Sequence, residues 1–575
     1  MLPQFRILSP DPGRIQAIAD RLSCHRIIAV ALVNRGVDSA EEADLFLHPS
    51  LNHLRAPFEI KDMERGARRI AEAVLKGEKI LAFGDYDVDG VTSTVLLYTF
   101  LQAAGANVDY YIPHRRKEGY GLSRSYILDQ AKTSGVRLIV TADCGSTGHD
   151  AVDSARREGI DVVITDHHNI EDPLPEAVAV INPKRKDCGA GFDHLSGVGV
   201  VFCLLICLRR QLRELEFWRG RPEPNLKRFL DLVALGTIAD QVPLVKENRI
   251  LTRVGFEQIN SGRRPGLAAL ISACRLKAVK SAEDISYRLA PRLNAPGRLA
   301  HADAAVRLLI AEHADSAAQI AAMLDRLNSE RQQIEAGIFD SIEDRFRENP
   351  HLLEKASIVL ADPGWHEGVL GIVAARLAEK YCRPVVLIST AEETGKGSAR
   401  SIDGFDLFNG IWQCRDTLLS FGGHAAAAGV RIDSGKIQPF EAAFERAVLQ
   451  NGGPDAHCAF LDIDSVIAFK EITADLLDSL ELLQPFGPGN PEPLFMAKNL
   501  EVVSQRIVGS THRQMVLKQN GAPPIAAVQF NVEPCSRCDG LLDSVHFHLR
   551  WNHWNGNRTP QLILRSILPL PPQRT

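Results

Sequence analysis

The feature that most restricts the fold of this chain is a succession of short Val- and Ile-rich runs alternating with helical patterns. Lys79–Phe83, Arg137–Ala142, Asp161–Thr165 and Val178–Asn182 are such runs. Apolar runs of this length separated by helices predict parallel strands joined by crossover helices, hence an α/β lobe. Sheets of that kind place ligands beyond the carboxyl ends of their strands. Here those ends carry GDYDVDG, ADCGS and TDHH in turn, so their acids are expected to converge. A chain of 575 residues is too long for one core and should form about three or four domains.

The densest acidic segment is Asp85, Asp87 and Asp89, between a strand-like run and the helical run VTSTVLLYTFLQ. An EF-hand loop is excluded, because position twelve counted from Asp85 is Leu96 where a bidentate Glu is required. Three carboxylates on one turn repel one another unless they bind cations or stay protonated. Asp143 ends another strand and could bridge two ions, while Asp166, His167 and His168 close a third. Asp240 follows a helical run and offers a further oxygen. Any one of these aspartates fits a helix or turn cap equally well. Taken together, an oxygen-rich set with imidazole suits Mg²⁺ or Mn²⁺, and two such ions suit phosphodiester hydrolysis.

Farther along, apolar residues recur at helical spacing from Asp315 to Pro350, predicting a helix of about 30 residues that reads as a strut between lobes, with Gly337 as a bend point. A second α/β unit follows: SIVLAD, WHEGVLGIVAARLAEKY, PVVLIS, GSARS and GGHAAAAG. From about Pro488, five strand-like runs predict a small all-β barrel of OB type. Within it Val545, Phe547, Leu549 and Trp551 alternate with polar residues, and Trp554 and Arg558 follow in a turn where a base and a phosphate could bind.

The formal charge is -5, but residues 496–575 carry nine Lys and Arg against four Asp and Glu, leaving -10 on the preceding residues. A basic tail module behind an acidic body fits a polyanion ligand and a metal-binding body. The 11 cysteines form no dense framework, which fits a reducing compartment; Cys535 and Cys538 make a lone CxxC, read as a surface turn. The longest nearly pure apolar stretch, Val198 to Leu208, is too short for the roughly 18 residues of a membrane span. The N-terminal MLPQFRILSPDPGR lacks the pattern of a secretory signal, so a cytoplasmic monomer without membrane contact is expected.

GDYDVDG, ADCG, TDHH, ADQVPL and GGHAAAAG, in this order, resemble the motif series of the DHH phosphoesterase superfamily with its DHHA1 accessory domain. The strings YRLAPRLNAPGR, WHEGVLGIVAARL, GSARS and QPFGPGNPEP extend the resemblance to the superfamily's bacterial single-strand-specific DNA exonucleases. The resemblance implies an N-terminal segment 1–50, a parallel-sheet DHH catalytic domain 51–270, a substrate-contacting segment and long helix 271–350, a DHHA1 domain 351–455 and an OB-like nucleic-acid-binding domain 456–575. It implies 5′ to 3′ hydrolysis of single-stranded DNA with two divalent cations, in recombination and repair, alongside a single-strand-binding protein and a RecQ-type helicase. Asp87, Asp89, Asp143, His167 and Asp240 would be metal ligands, with Asp85 in or beside the set and His168 assisting. Many superfamily members carry His where this chain has Phe83, which shifts weight to Asp85.

Arg288, Arg292 and Arg298 lie in a segment that Pro and Gly should keep from forming a regular helix. Clustered guanidiniums suit phosphate, although a solvated basic face fits the segment alone as well. The resemblance favours substrate contact, adds Asn294, and makes Ser398, Arg400, Ser401 and His424 phosphate-binding candidates, with His366 either a contact or a helix cap. Two rival functions remain at this stage: a pyrophosphatase or small-oligonucleotide phosphodiesterase of the same superfamily, and a non-catalytic DNA-binding scaffold.

Overall fold

The computed structural model describes residues 4–170, 172–453, 460–509, 511–532, 540–554 and 556–570; Cys535 and Cys538 lie outside them. The chain divides into two compact units. The larger comprises Phe5–Ile112, Tyr120–Ala290 and Leu461–Thr575; the smaller is built chiefly from Pro113–Gly119 and Pro291–Phe460.

In the larger unit, five parallel strands run in the order Val108–Tyr111, Ile80–Gly84, Leu138–Ala142, Asp161–Thr165, Ala179–Ile181. The chain reverses its direction of winding between Ile80–Gly84 and Leu138–Ala142, and the crevice beyond those two strands is where such a sheet binds ligands. Ile80–Gly84 and Leu138–Ala142 are buried at every position, as expected for strands covered on both faces. The helix Val88–Ala103 has no one-sided polar face, and most of it is buried between the sheet and the helices Gly197–Glu214 and Leu230–Ala239.

At the other end of the same unit, Phe495–Val508, His512–Lys518, Ile525–Gln529, Asn557–Pro569 and Leu541–Trp554 pair in that order, and Leu541–Trp554 closes back on Phe495–Val508. This is a closed five-stranded barrel with OB connectivity. Its core is shared with the chain's beginning. Ile15, Ile18, Ile28 and Leu32 of the helices Pro12–Leu22 and Arg26–Asn34 are buried in one cluster with Phe495, Leu517, Phe547 and Leu562. The first 50 residues are therefore a cap on the C-terminal barrel. Arg35, buried against Asp464 at 3.2 Å, fastens the two ends with an ion pair.

In the smaller unit, the helix Ala314–Glu348 runs unbroken through Gly337 for 35 residues, about 52 Å. It is not a bare strut: Ile338, Phe339, Ile342 and Phe346 bury against Val369, Val373, Leu377 and Leu387. A mixed sheet follows in the order Ser420–Gly423, Ala427–Asp433, Thr394–Arg400, Val385–Ser389, Ile358–Asp362. The YRLAPRLNAPGR segment departs from expectation, because it is helical: a π turn Asp284–Leu289 leads into an α-helix Ala290–Leu299. Pro291 follows the π turn directly and Pro296 lies inside the α-helix, so continuous helical backbone accommodates two residues that lack a main-chain donor, with the wider π turn just ahead of the first. Among the described residues no helix is long and apolar enough to cross a membrane.

The shared core makes a direct prediction. Ile28→Ala should cost about 2–5 kcal/mol, the usual penalty for truncating a buried aliphatic residue, and limited proteolysis should show faster cleavage within the barrel strands as well as in the N-terminal helices.

Candidate metal centre

Every acid and imidazole singled out for metal comes together at the crevice. Asp85 and Asp87 precede the helix Val88–Ala103, Asp89 lies in its first turn, and Asp87 caps it by accepting from Gly90 N at 3.0 Å. Asp143 follows Leu138–Ala142 with φ +66, a left-handed conformation that a non-glycine residue adopts at a cost of about 1 kcal/mol or more. His167 Nε2 lies 3.1 Å from Asp143 Oδ1, 3.5 Å from Asp240 Oδ2 and 3.8 Å from Asp89 Oδ2. Three overlapping ligand sets result: Asp85, Asp87 and Asp143; Asp89, His167 and Asp240; and Asp143, His167 and His168.

The electrostatics of this cluster are unfavourable without cations. Burial, then the charge of Asp87, push the Asp89 carboxyl up to about 7, even though the amides of Gly197 and Val198 at a helix N-terminus donate to it at 2.6 and 2.9 Å. Burial and the neighbouring Asp89 and Asp87 push Asp240 up to about 9, and burial with the surrounding carboxylates pushes Asp143 well above the usual range. His167 is pushed down to about 3 by burial and by His168, and so is neutral, the form that ligates metal. Asp143 Oδ1, Asp240 Oδ2 and His167 Nε2 are buried without a hydrogen-bond partner. Carboxylate oxygens and a neutral imidazole left in this state fit hard divalent cations such as Mg²⁺ or Mn²⁺.

Further groups surround these ligands, and of them the sequence singled out only Asp166 and His168. Asp166 accepts from Ser146 N, His167 N, His168 N and His168 Nδ1 at 2.8–3.1 Å, so it is an orienting group. Burial draws His168 down, but the bond and charge of Asp166 outweigh it and hold the imidazole up at about 9. The Asn182 amide donates to Ser146 Oγ and to the His168 carbonyl, and the Tyr120 hydroxyl donates to the Asp143 carbonyl at 3.3 Å. Gly197 lets a helix N-terminus approach closely: a Cβ there would fall 2.7 Å from the Asp143 carboxyl carbon. Only spacing in three dimensions reveals these partners. Phe83 turns into the core, against Tyr111 and Tyr126.

The candidates for phosphate contact separate. Arg288 lies in the larger unit and donates to the Cys274 carbonyl at 2.8 Å. In the smaller unit, Arg292 pairs with Asp325 at 2.8 Å and Asn294 is half-buried nearby. Arg298 donates to Gly368 O at 3.3 Å, while Arg400 donates to Ala399 O at 2.8 Å and lies 3.4 Å from Ser398 Oγ. A Cβ on Gly371, in the first turn of the helix Leu370–Tyr381, would meet Arg400 and Ser398 within 3 Å, so that N-terminus abuts both. Burial and then Arg115 lower the Arg400 guanidinium, which makes no ion pair among the described residues. Arg115 was not anticipated; it comes from Pro113–Gly119, which the fold assigns to this unit. Ser401 is committed to a turn, its hydroxyl donating to Phe405 O at 2.6 Å. His424 stands exposed between the last two strands, and His366 Nδ1 accepts from Gly368 N at 3.2 Å, which makes it a turn cap.

A doubly wound sheet with aspartates and histidines gathered at its switch point, accompanied by a second α/β unit, defines a DHH-type protein. The DHH family N-terminal domain matches residues 79–237, the DHHA1 domain residues 354–450 and the RecJ OB domain residues 463–566. The chain is 37% identical to the single-stranded-DNA-specific exonuclease RecJ of Escherichia coli, over 93% of this chain and 95% of that one. It is 36% identical to RecJ of Bacillus subtilis, over 98% of this chain and 70% of that one. A crystal structure of Thermus thermophilus RecJ in complex with Mn²⁺ superposes with a TM-score of 0.83 at 29% identity, covering 98% of this chain and 79% of that one. The chain belongs to the RecJ family.

The sign of the pH effect follows from the raised groups. Asp240 and Asp89 have folded-state values above their unfolded ones, so the native state binds the extra protons and the stability they confer is lost progressively from about pH 4, the unfolded carboxyl range, up to about 7 for Asp89 and about 9 for Asp240. His168, also raised, contributes stability that is lost on the same rise. Metal-free protein should therefore show a falling Tm between pH 7 and 9 by scanning calorimetry. Asp240→Asn should flatten that slope, and Mn²⁺ should raise Tm more at pH 8.5 than at pH 6.5.

Proposed function

We propose that this protein is a 5′ to 3′ exonuclease that hydrolyses single-stranded DNA with two divalent cations, Mg²⁺ or Mn²⁺, and releases nucleotides during recombination and repair. The observation that carries the reading is the full set of buried acids and imidazole at the switch point, in a chain related to RecJ proteins along nearly its whole length. Asp85, Asp87, Asp89, Asp143, His167 and Asp240 are the residues that would hold the cations, and Asp143, a carboxylate shared by two of the three sets, would serve both. When bound, the cations supply Lewis acidity and activate water for attack on the phosphodiester.

The protein's own residues do the rest. Asp166 fixes the orientation of His168, whose proton and partial exposure suit it to a non-bridging phosphate oxygen. Asp143 has a left-handed backbone and is closely approached by Gly197, where a Cβ would fall 2.7 Å from its carboxyl carbon. In the smaller unit Arg400, Ser398, Arg298 and the N-terminus of Leu370–Tyr381 offer charge and amides to a strand phosphate; Arg115 adds a second guanidinium. Arg292, Asn294 and His424 are assigned to strand contact on the family pattern. The barrel supplies further single-strand contacts, with Trp554, 73% exposed, available for stacking. A single-strand-binding protein and a RecQ-type helicase as working partners rest on the family resemblance alone.

One oligonucleotide labelled at either end tests the reading. Label should leave the 5′ end as mononucleotide first, and chelator should stop it; release of phosphate from pyrophosphate without strand digestion would refute it. Asp143→Ala should lower kcat by more than about 100-fold while strand binding by fluorescence anisotropy persists. Arg400→Ala should weaken strand binding about tenfold or more, the worth of a charge-assisted hydrogen bond, and reduce the salt dependence of binding by about one phosphate contact.

A further inference from the structure

The string QPFGPGNPEP has no role in the site as described, yet it lies against the loop that carries Asp240. Gly487 N donates to Asn490 O at 2.9 Å and Asn490 N to Gly487 O at 3.0 Å, closing a two-residue turn of Pro488 and Gly489. Gly489 has φ +71, so Pro followed by a left-handed Gly gives the type II pattern. The outer carbonyl of this turn, Pro488 O, accepts from Leu244 N at 2.8 Å. A Cβ on Gly489 would fall 3.1 Å from both Pro243 and Val245, and one on Gly487 would fall 2.8 Å from Leu244. The turn and the segment 243–245 are thus in backbone-level contact, three to five residues after Asp240.

That segment needs support. Asp240 ends the helix Leu230–Ala239, and the chain then passes through two non-glycine residues in the left-handed region, Gln241 at φ +61 and Lys246 at φ +46. Such conformations persist only where the surroundings over-determine them. From inside, the Asn248 amide holds Pro243 O at 3.0 Å. From outside, the Gly-Pro turn closes the loop. The turn is itself rigidly seated: the fully buried Asn490 amide donates to Leu483 O and Pro485 O, both at 2.8 Å, and its oxygen accepts from Arg35 Nε at 2.9 Å. Arg249, buried in the helix Lys246–Asn260 that follows the loop, donates to the carbonyls of Leu482, Leu483 and Phe46 at 2.7–3.0 Å.

We propose that the 484–491 turn, the entry to the barrel, positions Asp240, so that the seating of the barrel module sets the affinity of the cation held by Asp89, His167 and Asp240. The proposal rests on Asp240 being a metal ligand. Gly489, Gly487 and Asn490 are positioning residues; none touches the cation.

The test is Mn²⁺ binding to the full chain, measured by electron paramagnetic resonance of free Mn²⁺ at fixed pH. Gly489→Ala should weaken one of the two ions about tenfold or more, within the range seen for groups that orient a ligand. It should lower kcat at limiting Mn²⁺, recover at excess Mn²⁺, and leave KM for a short oligonucleotide unchanged. Glu283→Gln, which takes the charge from a different contact of the barrel within the larger unit, to Arg550 at 2.7 Å, should leave Mn²⁺ binding as in the parent. If Gly489→Ala binds both ions like the parent while Asp240→Asn loses one, the positioning role is wrong and the metal assignment stands. If Asp240→Asn keeps both ions, the assignment itself falls. Should Gly489→Ala not fold, hydrogen exchange of the parent decides: Mn²⁺ should slow exchange at 241–245 and at 484–491 together, and slowing at the first segment alone overturns the proposal.

Discussion

The structure turns on the cost of burying several carboxylates in one crevice. Asp85, Asp89 and Asp143 are each less than 5% exposed, at distances where their charges repel strongly. The fold absorbs part of this with oriented dipoles: two helix-terminal amides on Asp89, and a Ser146 amide and an imidazole on Asp166. The remainder is left on Asp143 Oδ1 and Asp240 Oδ2, buried oxygens with no hydrogen-bond partner among the described residues, each within reach of His167 Nε2. Much of the surrounding architecture serves to keep those oxygens from relaxing apart. The parallel strands fix where Asp85 and Asp143 emerge, the left-handed backbone at Asp143 sets the direction of its carboxylate, and the loop after Leu230–Ala239 is clamped on two sides.

The larger unit shows how such a clamp is built from distant sequence. Arg249 illustrates the chemistry: a fully buried guanidinium that pairs with no carboxylate among the described residues, satisfied by three main-chain carbonyls and lying over the Phe46 ring at 3.8 Å. Burial pulls it down to about 9. Two of those carbonyls end the helix Ala474–Leu482, where the helix dipole favours a cation. Catalytic domain, N-terminal cap and barrel meet at this one side chain.

The catalytic sheet was readable because its signal is local. Runs such as Asp161–Thr165 are apolar, short and bounded, and the acids sit at their ends. The gathering of acids and imidazole was readable for the same reason, since strand ends in a parallel sheet point to one edge. The arginine segment misled because Pro and Gly were read as breakers, although helical backbone continues through both prolines, with a π turn directly before Pro291. The role of the first 50 residues was hidden for a different reason: Ile15, Ile28 and Leu32 announce an apolar face without saying that its complement lies more than 400 residues away. Tyr120, Asn182 and Arg115 act through contacts that no spacing in one dimension encodes.

That separation bears on how the protein is made. The helices that end at Leu47 leave the ribosome early, but the residues completing their core begin only at Ile467, ahead of the barrel strands. At roughly 5–20 residues per second, translation of the intervening chain takes roughly 20–80 s. For that interval the nascent N-terminus presents a greasy face with nothing to cover it, which makes it a natural client for chaperones that bind polypeptides during synthesis.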